Sequence, residues 1–119
     1  HIHKTGALIR ASVALGAMAV GSLKEEGYGR LDAYACSMGL AFQVIDDVLD
    51  AESTTAALGK TAGKDALANK PTYVNIMGMS QAKQFAHDLR NRALDSIADF
   101  DGNADRLREM ADFIALRKS

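Results

Sequence analysis

The sequence predicts an all-α fold in which a helical bundle encloses a polar pocket. Three observations lead to this prediction. The chain contains one proline and no alternating run of β-branched residues long enough for a strand. Its apolar residues recur at helical spacing, and one strongly apolar helix carries a cluster of acidic side chains. With 119 residues, 48% of them hydrophobic, the chain can form the core of one small domain.

Five helices are predicted, the last of them at about 104–116. The first, at about 2–23, and the second, at about 31–51, are apolar on almost every face, which is typical of helices buried inside a bundle. The two glycines of segment 25–29 are expected to break the chain between these helices. A long connection at about 52–69 follows, and connections of that length are usually functional or disordered.

The third helix is predicted to be short, because Pro71 and Thr72 can start it and Gly78 can end it. Ser80 is the predicted N-cap of a fourth helix, which runs to about Phe100 and has one apolar stripe. Its solvated face is expected to contain Arg90, Arg92 and Asp95. The first two helices should therefore be inner helices and the last two outer ones.

The second helix carries the most specific feature of the chain. At about 100° per residue, Asp46, Asp47 and Asp50 share one arc of roughly 100° with Gln43, and apolar residues fill most of the remaining circumference. Carboxylates about 4 Å apart repel by roughly 1 kcal/mol in water and about 4 at an effective dielectric near 20. A hard cation such as Mg²⁺ would neutralise them, because it prefers oxygen ligands and commonly bridges carboxylates to substrate phosphates. From the pattern alone, a solvated acidic patch remains the alternative, since DDxxD is a weak signal.

The charge balance and the apolar runs limit the possible partners. Lys and Arg number 14 against 15 Asp and Glu, so the chain offers no basic field for nucleic acid. No apolar run reaches the roughly 18 to 20 residues that span a bilayer, and no stable membrane insertion is expected. Cys36 is the single cysteine, which favours a reducing, cytoplasmic setting. The chain opens without Met at His1, inside a predicted helix, and we expect an upstream part to be missing.

Three lysines could bind an anion. Lys4 lies at one end of the apolar first helix, and Lys60 and Lys64 lie in the long connection. Without an anion nearby, each is more often a solvated charge. Segment 59–61 is similar to the end of a nucleotide-binding P-loop, but that motif needs a glycine where this chain has Thr54, and a preceding strand. We therefore exclude a nucleotide site of that type.

Several motifs, taken in order, resemble the C-terminal part of the trans-isoprenyl diphosphate synthases, the polyprenyl synthetase family, with bacterial farnesyl diphosphate synthase the nearest branch. The motifs are HIHKTGALIR at 1–10, FQVIDDVLD at 42–50, LGKTAGKD at 58–65, KPTY at 70–73 and the basic ending FIALRK at 113–118. The resemblance covers essentially the whole chain. It implies an isoprenoid synthase-type helical bundle, of which 1–119 would be the C-terminal portion of a single domain.

The resemblance also implies a reaction. The parent enzyme would condense an allylic diphosphate with isopentenyl diphosphate, head to tail, to geranyl or farnesyl diphosphate, with Mg²⁺ as cofactor and as a cytoplasmic homodimer. The acidic cluster would be the second of two aspartate-rich metal motifs of the family. In it, Asp46 would bind Mg²⁺ directly, whereas Asp47 and Asp50 would act partly through bound water.

The same resemblance assigns roles to polar residues outside the acidic motif. Lys4 and Lys60 would hold the allylic diphosphate, and Thr5 and Gln43 would place their oxygens near the allylic carbon as positive charge develops. Lys70 would help to close the loop over the diphosphate. Arg117 and Lys118 would lie near isopentenyl diphosphate.

Two departures from the family pattern bear on function. The first aspartate-rich motif and its arginine pair are absent from these 119 residues, so the chain alone is expected to be inactive. Pro71 precedes the Thr-Tyr pair instead of following it, which bears on the local placement of Lys70. One alternative is a non-catalytic helical subunit of a two-part prenyl synthase. A class I terpene cyclase fits less well, because its second metal motif ends in Glu where this chain has Thr54.

Overall fold

The computed structural model describes residues 25–58, 70–100 and 102–118. Within these ranges the chain forms helices and turns and contains no strand, which confirms the predicted all-α class. The helices, in order, are α1 (Glu25–Leu58), α2 (Tyr73–Met77), α3 (Met79–Ser96), a short 3-10 helix (Gly102–Ala104) and α4 (Asp105–Leu116). The first predicted helix, at about 2–23, lies outside the described residues. Among the described helices, none has the length and apolar character required to cross a bilayer.

The core lies between one side of α1 and the facing sides of α3 and α4. From α1 it receives one continuous row of buried side chains: Leu31, Tyr34, Ala35, Met38, Ala41, Val44, Ile45 and Val48. Facing this row, α3 contributes mostly small residues, which let the two helices approach closely: Ala82, Ala86, Leu89 and Ala93. Burying each large side chain of such a core contributes about 1.5 to 3 kcal/mol.

The predicted bounds of the second helix were wrong at both ends. α1 is continuous from Glu25, although it contains the two glycines expected to break it. A glycine inside a helix costs only about 1 kcal/mol relative to alanine, and burial of Leu31 and Tyr34 just beyond it outweighs that cost. At the other end α1 continues through Leu58, because the sequence 51–58 has no glycine or proline to stop it. The predicted connection therefore begins later than residue 52, and 59–69 lie outside the described residues.

The short third helix was predicted correctly. Thr72 caps α2, because its side-chain oxygen accepts a hydrogen bond from the backbone N–H of Asn75 at 3.1 Å. Gly78 ends α2 with a φ of 88°, a conformation in the positive-φ range that side chains with a Cβ rarely adopt. The N-cap prediction for Ser80 was wrong, because α3 starts directly after Gly78, whose carbonyl accepts from the backbone N–H of Ala82 at 2.9 Å.

Arg108 determines how α3 ends. The fourth helix was predicted to reach Phe100, but α3 stops at Ser96 and the chain continues in turns. The Arg108 Nη2 atom donates to the carbonyl of Ile97 at 3.1 Å and to the carbonyl of Phe100 at 2.6 Å. A side chain of α4 therefore supplies donors to carbonyls of the turn that follows α3.

The predicted solvated face of the fourth helix was wrong at one position. Arg92 and Asp95 are exposed as expected. Arg90 is instead only 22% exposed, and its Nε atom lies 2.6 Å from the Asp112 Oδ1 atom of α4. This ion pair joins α3 to α4 beside the buried Leu89. The helical period of one sequence segment could not predict a contact with another helix.

Tyr34 connects α1 to α4 through a buried polar contact. Its side chain is fully buried, and its hydroxyl donates to the backbone carbonyl of Leu107 at 2.7 Å. Burial raises the pKa of the Tyr34 phenol above its ordinary value of 10.0. The folded state therefore favours the protonated phenol. Its contribution to stability is complete below pH 10.0 and is lost as the pH rises above that value.

Tyr34→Phe is expected to lower the free energy of unfolding at neutral pH by about 1 to 2 kcal/mol, because the Leu107 carbonyl loses this donor. The variant should also lose less stability than the wild type between about pH 9 and about pH 11, since it has no phenol to ionise. Denaturant unfolding at both pH values measures the two effects. Tyr28→Phe, at an exposed position, is the control. Equal alkaline losses in the wild type and Tyr34→Phe would contradict the assignment.

Candidate functional site

The predicted acidic cluster forms one strip on the side of α1 that faces away from the core row. We call Gln43, Asp46, Asp47 and Asp50 the acidic strip. The first three residues are half-buried and Asp50 is exposed. An open cleft of about 490 Å³ runs beside the strip and is lined in part by Asp46, Asp50, Arg117 and Lys118. The helical period thus placed these side chains correctly on one face, next to a concavity.

Asp47 is the most constrained carboxylate of the strip. Its Oδ1 atom accepts from the Gln43 side-chain nitrogen at 2.9 Å, and its Oδ2 atom accepts from the backbone N–H of Tyr73 at 3.0 Å. Both oxygens therefore have a donor, one from its own helix and one from α2. Because a carboxylate only accepts, the first bond also fixes the Gln43 amide so that its oxygen points away from Asp47.

The surroundings of Asp46 disfavour its ionised form. Burial raises the pKa of the Asp46 carboxyl, and the charge of Asp50 one helical turn away raises it further. Arg117 lowers the pKa of Asp46, whereas Asp47 adds a smaller increase. The increases exceed the effect of Arg117, so this end of the strip carries negative charge that its surroundings do not fully balance. A bound cation would complete that balance.

The donor set fits Mg²⁺ only with help from other oxygens. No group of three or more His, Cys, Asp or Glu side chains in the described ranges is arranged to hold a metal ion. Mg²⁺ is commonly held by one or two carboxylates and completes its shell with water and phosphate oxygens. Asp46 and Asp50 could serve as those carboxylates. Neither accepts a hydrogen bond from α2 among the described contacts, whereas one oxygen of Asp47 does.

The end of the chain folds back onto the acidic strip. The guanidinium of Arg117 lies 4.4 Å from the centre of the Phe42 ring, and its Nη2 atom donates to the Phe42 carbonyl at 3.4 Å. The same nitrogen is 3.9 Å from the Asp46 Oδ1 atom. The Arg117 side chain is only 15% exposed, and its buried Nε atom has no hydrogen-bond partner among the described residues. A cation is therefore held against the ring with one donor left unused.

A second cleft, of about 530 Å³, adjoins the first and shares Arg117 and Lys118 with it. Its other polar side chains were not selected from the sequence. The Lys83 Nζ atom lies 3.3 Å from the Glu52 Oε2 atom, and His87 follows one turn later on α3. The spacing of Lys83 and His87 indicates a shared helix face, but only packing shows which element that face meets.

The structure brings together a large part of the predicted site. Besides the acidic strip, it places Arg117 and Lys118 at the same cleft. Lys70 is exposed and directly precedes the Pro71-Thr72 pair that leads into α2, the helix whose Tyr73 N–H contacts the strip. Three predicted residues, Lys4, Thr5 and Lys60, lie outside the described residues. The roles of all these residues stay predictions.

Asp46→Asn is expected to raise the thermal midpoint of unfolding at neutral pH in the presence of a chelator, because it removes a carboxylate whose ionised form is disfavoured by burial and by Asp50. The raised pKa means that the wild type loses stability as the pH rises through that value. The gap between the two proteins should therefore narrow as the pH is lowered toward it. Thermal unfolding from about pH 7 down to pH 3.8, the ordinary pKa of this carboxyl, measures the gap. Asp88→Asn, on the exposed face of α3, is the control; a gap that did not depend on pH would contradict this electrostatic account.

Comparison with known proteins places this geometry in a family. The sequence model of the family described as Polyprenyl synthetase matches residues 1–110. A protein named "Probable farnesyl diphosphate synthase" from Bradyrhizobium diazoefficiens is 50% identical over 113 residues, which cover 92% of this chain and 34% of that protein. A chloroplastic geranylgeranyl pyrophosphate synthase of Catharanthus roseus is 44% identical over 118 residues, which cover 98% of this chain and 33% of the relative.

The fold agrees with that of a solved structure. A crystal structure of a farnesyl-diphosphate synthase candidate from Marinomonas sp. MED121 matches 97% of this chain and 37% of its own, with a TM-score of 0.75 and 39% identity. The predicted all-α, isoprenoid synthase-type fold is therefore confirmed. The chain spans about a third of the length of the curated relatives it matches. On the family match over residues 1–110, the chain belongs to the polyprenyl synthetase family.

Proposed function

We propose that this chain is the C-terminal third of a prenyl diphosphate synthase domain. The complete enzyme would condense an allylic diphosphate with isopentenyl diphosphate, head to tail, in a reaction that depends on Mg²⁺. The observation that carries the proposal is the meeting of the acidic strip with the cationic Arg117 and Lys118 at one cleft. Such a cleft offers both a cation site and direct donors to a diphosphate.

The acidic strip would serve the leaving group. Breaking the allylic C–O bond leaves negative charge on the diphosphate, and Mg²⁺ held by Asp46 and Asp50 would supply charge neutralisation there. Lys70 is exposed and is proposed to contact this diphosphate, whereas Lys118, also exposed, is proposed to lie near isopentenyl diphosphate. Lys4 and Lys60 remain proposed ligands of the allylic diphosphate, on the resemblance of their motifs alone.

Gln43 would act at the carbon side of the breaking bond. Because its amide nitrogen is used by Asp47, its oxygen is left to face the positive charge that develops on the allylic carbon. Thr5 is proposed for the same role. The double bond of isopentenyl diphosphate then attacks this carbon, and loss of a proton completes the product. Apolar walls around the reacting carbons would exclude water.

The product, the oligomeric state and the cellular compartment of the complete enzyme are also proposals. We propose geranyl or farnesyl diphosphate as the product, and the matched relatives bear farnesyl and geranylgeranyl names. We propose that the complete enzyme is a homodimer, as the family resemblance implies. A reducing, cytoplasmic setting is supported by Cys36, the only cysteine of the chain, which is an exposed free thiol.

The non-catalytic alternative is a helical subunit of a two-part synthase, and the upstream sequence separates it from the enzyme. A first aspartate-rich motif followed by two arginines would supply the second cation site that the reaction needs. The match to the polyprenyl synthetase family also disfavours a class I terpene cyclase.

In the complete synthase, Asp46→Ala is expected to lower turnover by roughly 1000-fold or more, equivalent to about 4 kcal/mol of transition-state stabilisation. Asp50→Ala should cost less, because Asp50 is more exposed. Steady-state assays across a Mg²⁺ titration measure both losses. Asp88→Ala, a carboxylate on the far face of α3, is the matched control. Turnover near that of the wild type for Asp46→Ala at saturating Mg²⁺ would refute the ligand assignment.

The 119-residue chain alone is predicted to be inactive and not to be a stable monomer. Three large apolar side chains support this, since Ile76 is 73% exposed, Phe113 73% and Leu116 61%. Covering each would contribute about 1.5 to 3 kcal/mol, so the chain should associate with the remainder of the domain, with another copy, or aggregate. Sedimentation at micromolar concentration measures this. A compact monomer with a cooperative melt would overturn the prediction.

A further inference from the structure

We infer that Asp47 is a positioning residue, which fastens the first turn of α2 and the preceding Lys70 to the acidic strip instead of binding Mg²⁺. The inference rests on the proposed function, because it assigns one of the three aspartates of the strip a different task within the same site. It is carried by the hydrogen bonds that join residues 43, 47, 70, 72, 73 and 75.

The first step is the commitment of both Asp47 oxygens. Gln43 donates to one oxygen at 2.9 Å, and the backbone N–H of Tyr73 donates to the other at 3.0 Å. A hydrogen bond from a backbone N–H to a carboxylate is charge-assisted and about twice as strong as a neutral one. Each oxygen keeps a second lone pair, but a cation bound there would draw electron density from the oxygen and weaken its hydrogen bond.

The second step is the hydrogen-bonded turn at residues 70–75, next to this bond. The Lys70 carbonyl accepts from the backbone N–H of Thr72 at 2.8 Å and from the Asn75 side-chain nitrogen at 2.8 Å. The Thr72 hydroxyl in turn accepts from the Asn75 backbone N–H. The backbone of Lys70 is therefore held in one hydrogen-bonded turn with Thr72 and Asn75. Tyr73 follows Thr72 directly in the chain, and its N–H joins this turn to α1 through Asp47.

The third step is that α2 needs an external anchor. A helix of five residues is not stable on its own, because so few residues do not offset the cost of forming the first helical turn. The Tyr73 ring packs against the Phe85 ring of α3, with 6.0 Å between their centres. Val74 and Met77 also pack against the core, so apolar contacts restrain α2 in part. The directional bond to Asp47 adds a polar restraint on its rotation at the first turn.

The consequence concerns Lys70, the residue proposed to enclose the diphosphate. If Asp47 acts through the turn, its loss should weaken diphosphate binding while the Mg²⁺ requirement stays near that of the wild type. If Asp47 is a metal ligand, its loss should raise the Mg²⁺ requirement, whatever happens at Tyr73.

Proline at position 73 offers a direct test, because it lacks the N–H that Asp47 accepts. Proline is well tolerated at the first position of a helix, and Thr72, with φ of −96° and ψ of 162°, already has the extended backbone required before a proline. Tyr73→Ala removes the ring but keeps the N–H. The two variants therefore differ chiefly in the donor.

Asp47→Ala would be introduced into both backgrounds of the complete synthase, and binding of inorganic diphosphate with Mg²⁺ measured by calorimetry. In the Tyr73→Ala background we expect the dissociation constant to rise roughly 10-fold or more. In the Tyr73→Pro background we expect no further rise, because the contact is already absent. Equal losses in both backgrounds, together with a raised Mg²⁺ requirement, would overturn the inference.

Hydrogen exchange of the Tyr73 amide keeps the inference testable even if the proline variant fails to fold or the protein binds no diphosphate. Without any ligand, Asp47→Ala should speed this exchange by roughly 10-fold or more, and Asp47→Asn, which keeps an acceptor oxygen, should restore much of the protection. Asp88→Ala is the matched control, since it removes the same Gln-to-Asp hydrogen bond, from Gln84 at 2.9 Å, on α3. Unchanged exchange in Asp47→Ala would overturn the inference, whereas failure of diphosphate to bind the wild type would count against the proposed function.

Discussion

Partial burial of Asp46 next to a second carboxylate is the constraint on which the described site depends. Burial disfavours the ionised form of Asp46, and the charge of Asp50, one turn away on α1, disfavours it further. The opposite side of α1 forms the core. The helix therefore cannot rotate to expose the strip further to solvent without also exposing Val44, Ile45 and Val48. The negative charge is therefore fixed in place, and its neighbours have to accommodate it.

Two neighbours respond to this charge in different ways. Arg117 brings a positive charge close to Asp46 but at a separation of 3.9 Å, while most of its contact is with Phe42. Arg117 lowers the pKa of Asp46 without cancelling the increase from burial and from Asp50. Asp47 gives its oxygens to Gln43 and to α2, so that the third carboxylate of the strip contributes to the placement of a second element.

The sequence was a good guide to the face of each helix and a poor guide to where helices end and meet. Periodicity put the aspartates on one strip, and Thr72 and Gly78 bounded α2 correctly, because these signals are local. Arg108 could not be predicted to end α3, nor Arg90 to pair with Asp112, because both contacts join segments that only packing brings together. The acidic residues of α1 were recognisable because carboxylates are rare on so apolar a helix. The partners Lys83 and Tyr73 had no comparable signal.

The contacts of Arg108 also bear on where Arg117, which follows α4, is placed. Arg108 is bonded to the carbonyls that follow α3, and Arg117 rests on Phe42, with roughly two and a half turns of α4 between them. Both contacts can form only while that number of residues is kept. One residue inserted within α4 would rotate Arg117 by about 100° around the helix and carry it off the Phe42 ring. The length of α4 thus affects the cleft as much as the residues that line the cleft do. An insertion or deletion in α4 would alter the site without replacing any of its side chains.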